Sequence, residues 1–256
     1  MNLMAFFKGR KALALQSKGD IKGARTAYEE ATAKGLSDPR MLLAYAILLI
    51  REEEYQAAKD LLVKIQKLPG ITPERKNQVF VDYAVCCYKL GDMDKGIDLL
   101  ERQHLRSPSG LVYETLGYLY VEKCAMGDET QQAPAAKATT GGAEDAPAVS
   151  FLEKAEAFLK EAGDYDDGDA ILLDNLGQFY YRIMEDPVKA RPWFDQAHAI
   201  KETQIDTLWF LSRYDLEEGN TAQALEKLEL AATGRFSPLN YVTKAQVEAE
   251  INRLKG

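Results

Sequence analysis

Histidine and cysteine are scarce in this chain, and that scarcity excludes most of the chemistry its length could carry. There are two histidines, His104 and His198, among 256 residues. No His-Glu-x-x-His, Gly-x-Ser-x-Gly or phosphate-loop pattern occurs. "TTGGAED" at 139–145 has the glycines of a phosphate loop without the lysine and hydroxyl that would touch phosphate. The acidic stretch "EAGDYDDGDA" at 161–170 fails as a calcium loop. Starting at Asp164 puts Gly168 and Asn175 where an acid and a glutamate are needed. No catalytic residue, cofactor or metal is therefore expected, and the chain reads as a non-enzyme. The three cysteines are Cys86, Cys87 and Cys124. Neighbours on a helix point about 100° apart and do not bridge. Reduced thiols packed in a core are expected, in a reducing compartment.

Long apolar runs and positive charge are missing too. No stretch approaches the roughly 20 apolar residues of a membrane helix. The apolar run Leu3–Phe7 is too short for a signal-peptide core, and its basic residues follow it instead of preceding it. A cytoplasmic chain with no membrane partner is expected. The formal net charge is −8. Such a chain gains nothing from counterion release at phosphates, so nucleic acid is not an expected partner. The one basic cluster, Lys8–Lys11, reads as a solvated helix face.

What is present is repetition. "LVYETLGYLY" at 111–120 and "LLDNLGQFYY" at 172–181 share Leu-Gly-x-x-Tyr: Leu116, Gly117 and Tyr120, then Leu176, Gly177 and Tyr180. After the second copy come Ala190, Phe194 and Ala197 in an Ala-x-x-x-Phe-x-x-Ala pattern. Leu-Gly-x-x-Tyr followed by this pattern resembles the tetratricopeptide repeat, a helix-turn-helix unit of about 34 residues.

Laid along the chain, that frame puts a small residue of the first helix at Ala12, Ala46, Ala84, Gly117, Gly177 and Ser212. The small site of the second helix falls on Ala24, Ala58, Gly96, Ala155, Ala190 and Ala224. A large residue follows four positions later, at Tyr28, Leu62, Leu100, Leu159, Phe194 and Leu228. Two helices that cross closely need small residues at the contact, with a large one beside it to fill space. Gly177 is expected to face Ala190 across the fifth hairpin. Turn chemistry agrees: Gly19, Gly91 and Gly219 suit left-handed helix ends, and Asp20, Asp92 and Asn220 suit N-caps. Cap-then-proline starts stand at Asp38-Pro39, Thr72-Pro73, Asp186-Pro187 and Ser237-Pro238.

The two Leu-Gly copies are 60 residues apart, where a single repeat would give about 34. The excess is an insert at 125–149, which lacks aromatics and is expected to be disordered. Ser150 and Glu153 then read as a capping box that restarts the helix.

The resemblance implies an all-α, right-handed α-solenoid over 1–236. Its repeats span about 5–38, 39–72, 73–109, 110–168, 169–203 and 204–236. The remainder, 237–256, is expected to be a capping helix, with Val247, Ile251 and Leu254 inward and Glu248, Glu250 and Lys255 in water. The family's first-helix tryptophan is replaced by Leu42, Phe80, Tyr113, Leu173, Leu208 and, in the first repeat, Lys8. In this family one side of the first helices lines a concave binding face. Here those positions are Leu13, Leu43, Ile47, Val81, Val85, Tyr88, Glu114, Tyr118, Asp174, Gln178, Tyr181, Trp209 and Arg213. The Lys and Asn with which some members clamp a C-terminal carboxylate are replaced by Gly9 and Leu13. The resemblance thus implies an adaptor or scaffold that binds an apolar or amphipathic peptide or helix of a protein partner. The alternative is a structural subunit of a homo- or hetero-oligomeric assembly.

Overall fold

The structure, a computed structural model, describes residues 2–127 and 150–256. Contacts divide the chain into two compact units, 1–112 and 113–256. In the first, α1 (Leu3–Ser17) pairs with α2 (Ile21–Ala33) and α3 (Pro39–Arg51) with α4 (Tyr55–Ile65). There α5 (Pro73–Lys89) pairs with α6 (Met93–Arg106). The boundary falls inside α7 (Gly110–Ala125). In the second unit Tyr113 and Tyr120 of α7 pack on Phe158 of α8 (Phe151–Tyr165). There α9 (Ala170–Gln178) pairs with α10 (Pro187–Ile200), and α11 (Ile205–Glu217) with α12 (Thr221–Ala232). The chain closes on α13 (Lys244–Lys255), packed against α12.

Every small and large site of the repeat frame is buried. At the third hairpin a Cβ on Gly96 would lie 3.0 Å from the Ala84 carbonyl oxygen and 3.3 Å from its Cβ, a close crossing of small residues. The fifth hairpin differs from expectation. Gly177 lies under the Phe194 ring, one turn beyond Ala190, and a Cβ there would sit 2.6 Å from Phe194 Cε1.

The turns follow their local chemistry with instructive exceptions. Gly19, Gly91 and Gly219 have φ of 81°, 79° and 80°, the left-handed conformation that ends a helix. Asp20, Asp38 and Asp186 each accept a backbone N–H three residues on. Ser150 and Glu153 form a reciprocal capping box. Asp92 and Asn220 stand at N-cap positions without a side-chain cap bond. Most of the insert, 128–149, lies outside the described residues, while Ala125 is still the last residue of α7.

Two departures shape the second unit. The small sites of a hairpin lie 12 residues apart at Ala12 and Ala24, but 13 apart at Gly177 and Ala190. The extra residue is absorbed in a π-helical turn, Phe179–Ile183, closed by the Met184 N–H on the Phe179 carbonyl at 3.1 Å. Such turns re-aim the side chains that follow them. The second departure corrects the capping helix. It begins at Lys244, not at 237, after a capping box of Thr243 with Gln246. The Ser237-Pro238 start is unused. The Asn240 side chain takes the Ser237 N–H at 2.7 Å, and Asp206 takes the amides of Tyr241 and Val242. Val247 and Ile251 are inward, in a core with Leu208, Leu228 and Val242. Glu250 is not in water as expected: its carboxylate is paired with Arg213 and Arg253.

Cys86, Cys87 and Cys124 are buried and unbridged. Burial pushes the Cys86 thiol up to about 12 and the Cys124 thiol to about 11. The thiolate is the reactive form. The native chain should therefore give no reaction with Ellman's reagent at pH 8 within minutes, and all three thiols should react in denaturant. Prompt labelling of a native thiol would show that these helices open easily.

Candidate functional site

The first-helix face behaves differently in the two units. In the first, Leu43 on α3 and Val81 and Val85 on α5 are buried, so they act as core instead of lining an open surface. The reason is geometric: successive first helices pack on one another, α1 on α3 and α3 on α5. Residues facing that seam lose their water. Leu13, Ile47 and Tyr88 remain half-buried. The Lys89 ammonium lies 4.7 Å from the Tyr88 ring centre.

In the second unit Tyr118, Asp174 and Gln178 are buried, while Glu114, Tyr181, Trp209 and Arg213 are half-buried. Tyr181 is tied into an aromatic cluster with Phe194, Phe210 and Tyr214. Arg213 lies over Trp209, 3.9 Å from the ring centre, and donates to Glu250 at 2.7 Å. Its Nε and Nη2 are buried without an acceptor among the described residues. Arg253 first, and then Arg213, hold Glu250 down at about 2.

Around these residues runs a buried polar chain. Asp174 accepts from the Thr207 hydroxyl at 2.5 Å and from Gln178 Nε2 at 2.7 Å. Gln178 Oε1 accepts from Arg182 Nη1 at 2.9 Å, and the same nitrogen reaches Glu122 at 2.8 Å. Arg182 comes from the π-helical turn. Its guanidinium lies 3.9 Å from the centre of the Tyr241 ring. On α11, Asp206 accepts from Asn240 Nδ2 at 3.0 Å, from the Tyr241 amide at 3.0 Å and from the Val242 amide at 3.2 Å. The Tyr241 ring also stacks on Phe210, with centres 5.2 Å apart. Tyr118 donates to the Asn240 carbonyl at 3.4 Å.

The charges follow from this geometry. Burial, and then the Asp206 carboxylate, push Asp174 well above the usual range. Burial raises Asp206 as well, against the N–H donors that favour its ionised form. Glu114 is raised by burial and then by Asp169 beside it.

The repeat frame brings Asp174, Gln178 and Tyr181 to this place and misses Arg182, Asp206, Phe210 and the segment 240–242. One signal was available: the extra residue between Gly177 and Ala190 marks the bulge that aims Arg182. His104 on α6 and His198 on α10 belong to different units. Among the described residues no three His, Cys, Asp or Glu side chains gather as a metal site. No described helix is long and apolar enough to cross a membrane.

No protein-family model matches the chain, and neither does any curated protein. Solved structures do. One is TTC0263, a thermophilic TPR protein of Thermus thermophilus, with TM-score 0.62 and 18% identity over 85% of this chain and 99% of that one. PilF of Pseudomonas aeruginosa has TM-score 0.56 and 14% identity, covering 96% and 97% of the two chains. YrrB, described as a TPR protein with an unusual peptide-binding site, has TM-score 0.50 and 17% identity over 78% and 88%. The chain has the tetratricopeptide-repeat fold, an all-α solenoid of helix-turn-helix repeats.

Proposed function

We propose that this chain is a protein-interaction scaffold that holds a segment of a partner protein on its first-helix faces and does no chemistry of its own. One observation carries the reading. The first-helix face of the second unit keeps Glu114, Tyr181, Trp209 and Arg213 half-buried over a bonded polar layer of Asp174, Gln178 and Asp206, where packing alone would favour apolar residues. Polar groups with fixed geometry orient a ligand, and aromatics with Arg dominate interface energies. YrrB, of the same fold, is described as having a peptide-binding site.

The test places a photoreactive benzoylphenylalanine at Ile47, Tyr88 or Trp209, and, as outward controls on α12, at Gln223 or Glu226. In the native cell the first three should yield discrete protein adducts and the controls none. Adducts from the α12 positions alone would move the interface to the outer surface and end this reading.

A second reading, a subunit of an oligomeric assembly, is favoured by Leu3, Met4 and Phe7, which are exposed together on α1. A mass by light scattering that rises with concentration, and falls back in Phe7→Ser, supports it. A constant monomer mass removes its homo-oligomeric form.

A further inference from the structure

The segment 237–243 is held in the second unit in the way a receptor holds a peptide. One carboxylate, Asp206, takes two successive backbone amides, of Tyr241 and Val242. Tyr118 donates to the Asn240 carbonyl. One ring, that of Tyr241, sits against the Arg182 guanidinium on one side and Phe210 on another. The first three contacts read main chain, presented here by a turn in which the Asn240 N–H donates to the Ser237 carbonyl at 3.1 Å. The ring slot is selective, because a guanidinium and an aromatic both favour a π face. The residues 237–243 have neither helix nor strand of their own. Tyr241 remains 39% exposed despite its two ring partners, whereas Val242, at 2%, belongs to the core with α13.

We infer that this segment is a resident occupant of a peptide site, and that the external ligand is a partner segment with one aromatic residue, which enters by displacing it. The inference rests on the reading of the first-helix face as a binding surface and adds the ligand's chemistry and its gate. The partner's ring takes the place of Tyr241, and one amide of its main chain replaces the Tyr241 amide on Asp206, while Val242 keeps its place in the core. The displaced segment has somewhere to go. Residues 237–241 move out to solvent, where Tyr241 is already 39% exposed, while Val242, the Thr243 capping box and α13 stay in place. Two arrangements of one stretch, biased by a ligand, make a gate.

The experiment uses the full chain and a fluorescein-labelled synthetic peptide with the sequence of 236–243, Phe-Ser-Pro-Leu-Asn-Tyr-Val-Thr. The variant Asn240→Ala with Tyr241→Ala loosens the resident segment and leaves Val242 and α13 untouched. It should bind the peptide at least tenfold more tightly than the unmodified chain. Adding Arg182→Ala, or replacing the peptide's tyrosine by alanine, should remove that gain. Equal binding by loosened and unmodified chains overturns the inference, as does equal binding of the alanine peptide. Hydrogen exchange on the unmodified chain covers the case in which the variant unfolds. The amide of Tyr241 should exchange at least tenfold faster than those of Val242 and Val247, through local opening. Exchange of all three at one rate makes the segment a structural linker and overturns the gate. Photo-adducts at Ile47, Tyr88 or Trp209 without peptide binding would leave the scaffold reading standing and remove this inference alone.

Discussion

Gly177→Leu should destabilise the chain by about 3 kcal/mol or more, the upper end of overpacking costs in a close-packed core. The space is absent from the first carbon onward. A Cβ at 177 would meet Phe194 Cε1, Cδ1 and Cζ at 2.6, 2.8 and 2.9 Å. Phe194 has no room to retreat. It is fully buried, stacked on Phe210 with centres 4.8 Å apart and planes 11° from parallel. Gly177→Ala should therefore also destabilise, by less, and the two changes should separate in urea midpoints at unchanged slope. Phe194→Leu opens space beside position 177 while losing ring contacts. In a double-mutant cycle, Gly177→Ala with Phe194→Leu should come out less destabilised than the sum of the singles, by about 0.5 kcal/mol or more. Strict additivity, or a neutral Gly177→Leu, would mean that this hairpin crosses elsewhere than at Gly177 and Phe194.

The same hairpin shows how far the sequence can be read. Residue volume was legible: close crossings need glycine or alanine, and Ala12, Ala24, Ala84 and Gly96 are buried where that rule puts them. Local caps were legible wherever the bond is made within a few residues, as at Ser150 with Glu153. Register beyond one turn was not. Whether Gly177 meets Ala190 or Phe194 depends on how the helices slide, and the extra residue in this hairpin changes that. The start of the capping helix was misplaced for a tertiary reason. Ser237-Pro238 is a sound local start, but Asp206, some thirty residues upstream, takes the amides at Tyr241 and Val242. The site residues divide in the same way. A period along the helix says which side faces the neighbouring first helices. It does not say how closely they approach, so Leu43, Val81 and Val85 fall on the lining side of the frame and are core. Nothing in the local sequence marked Asp206 as a receptor for main-chain amides. Its partners lie beyond the end of the repeat frame.

Stability should fall as pH rises through neutrality, and Asp82→Asn should remove a large part of that fall. Asp82 lies in α5, buried, with Oδ1 accepting from Gln78 Nε2 at 2.8 Å. Its Oδ2 is buried without a partner among the described residues. Burial pushes the carboxyl up to about 7, against smaller opposing effects of Gln78 and the Arg51 charge. In the unfolded chain an aspartate titrates near ~3.9. Below that value both states hold the proton. Between ~4 and ~7 the folded state keeps a proton that the unfolded state has lost, so the folded state is favoured less with each step upward in pH. Above ~7 both are ionised and the loss is complete. Moving the carboxyl from ~3.9 to about 7 corresponds to ~4 kcal/mol, an order-of-magnitude ceiling. Asparagine keeps the shape and the acceptor for Gln78 and does not titrate. Urea midpoints should then show Asp82→Asn close to the unmodified chain at pH 4 and well above it at pH 8. The variant should still lose some stability with rising pH, because Asp174, Asp206 and Glu114 are raised in the same direction. Glu250, held down at about 2, acts in the opposite sense and is common to both chains, so the difference between them isolates Asp82. Parallel pH profiles for the two proteins would show that Asp82 is ionised and solvated in the native state, with α5 more open at that point than its packing indicates.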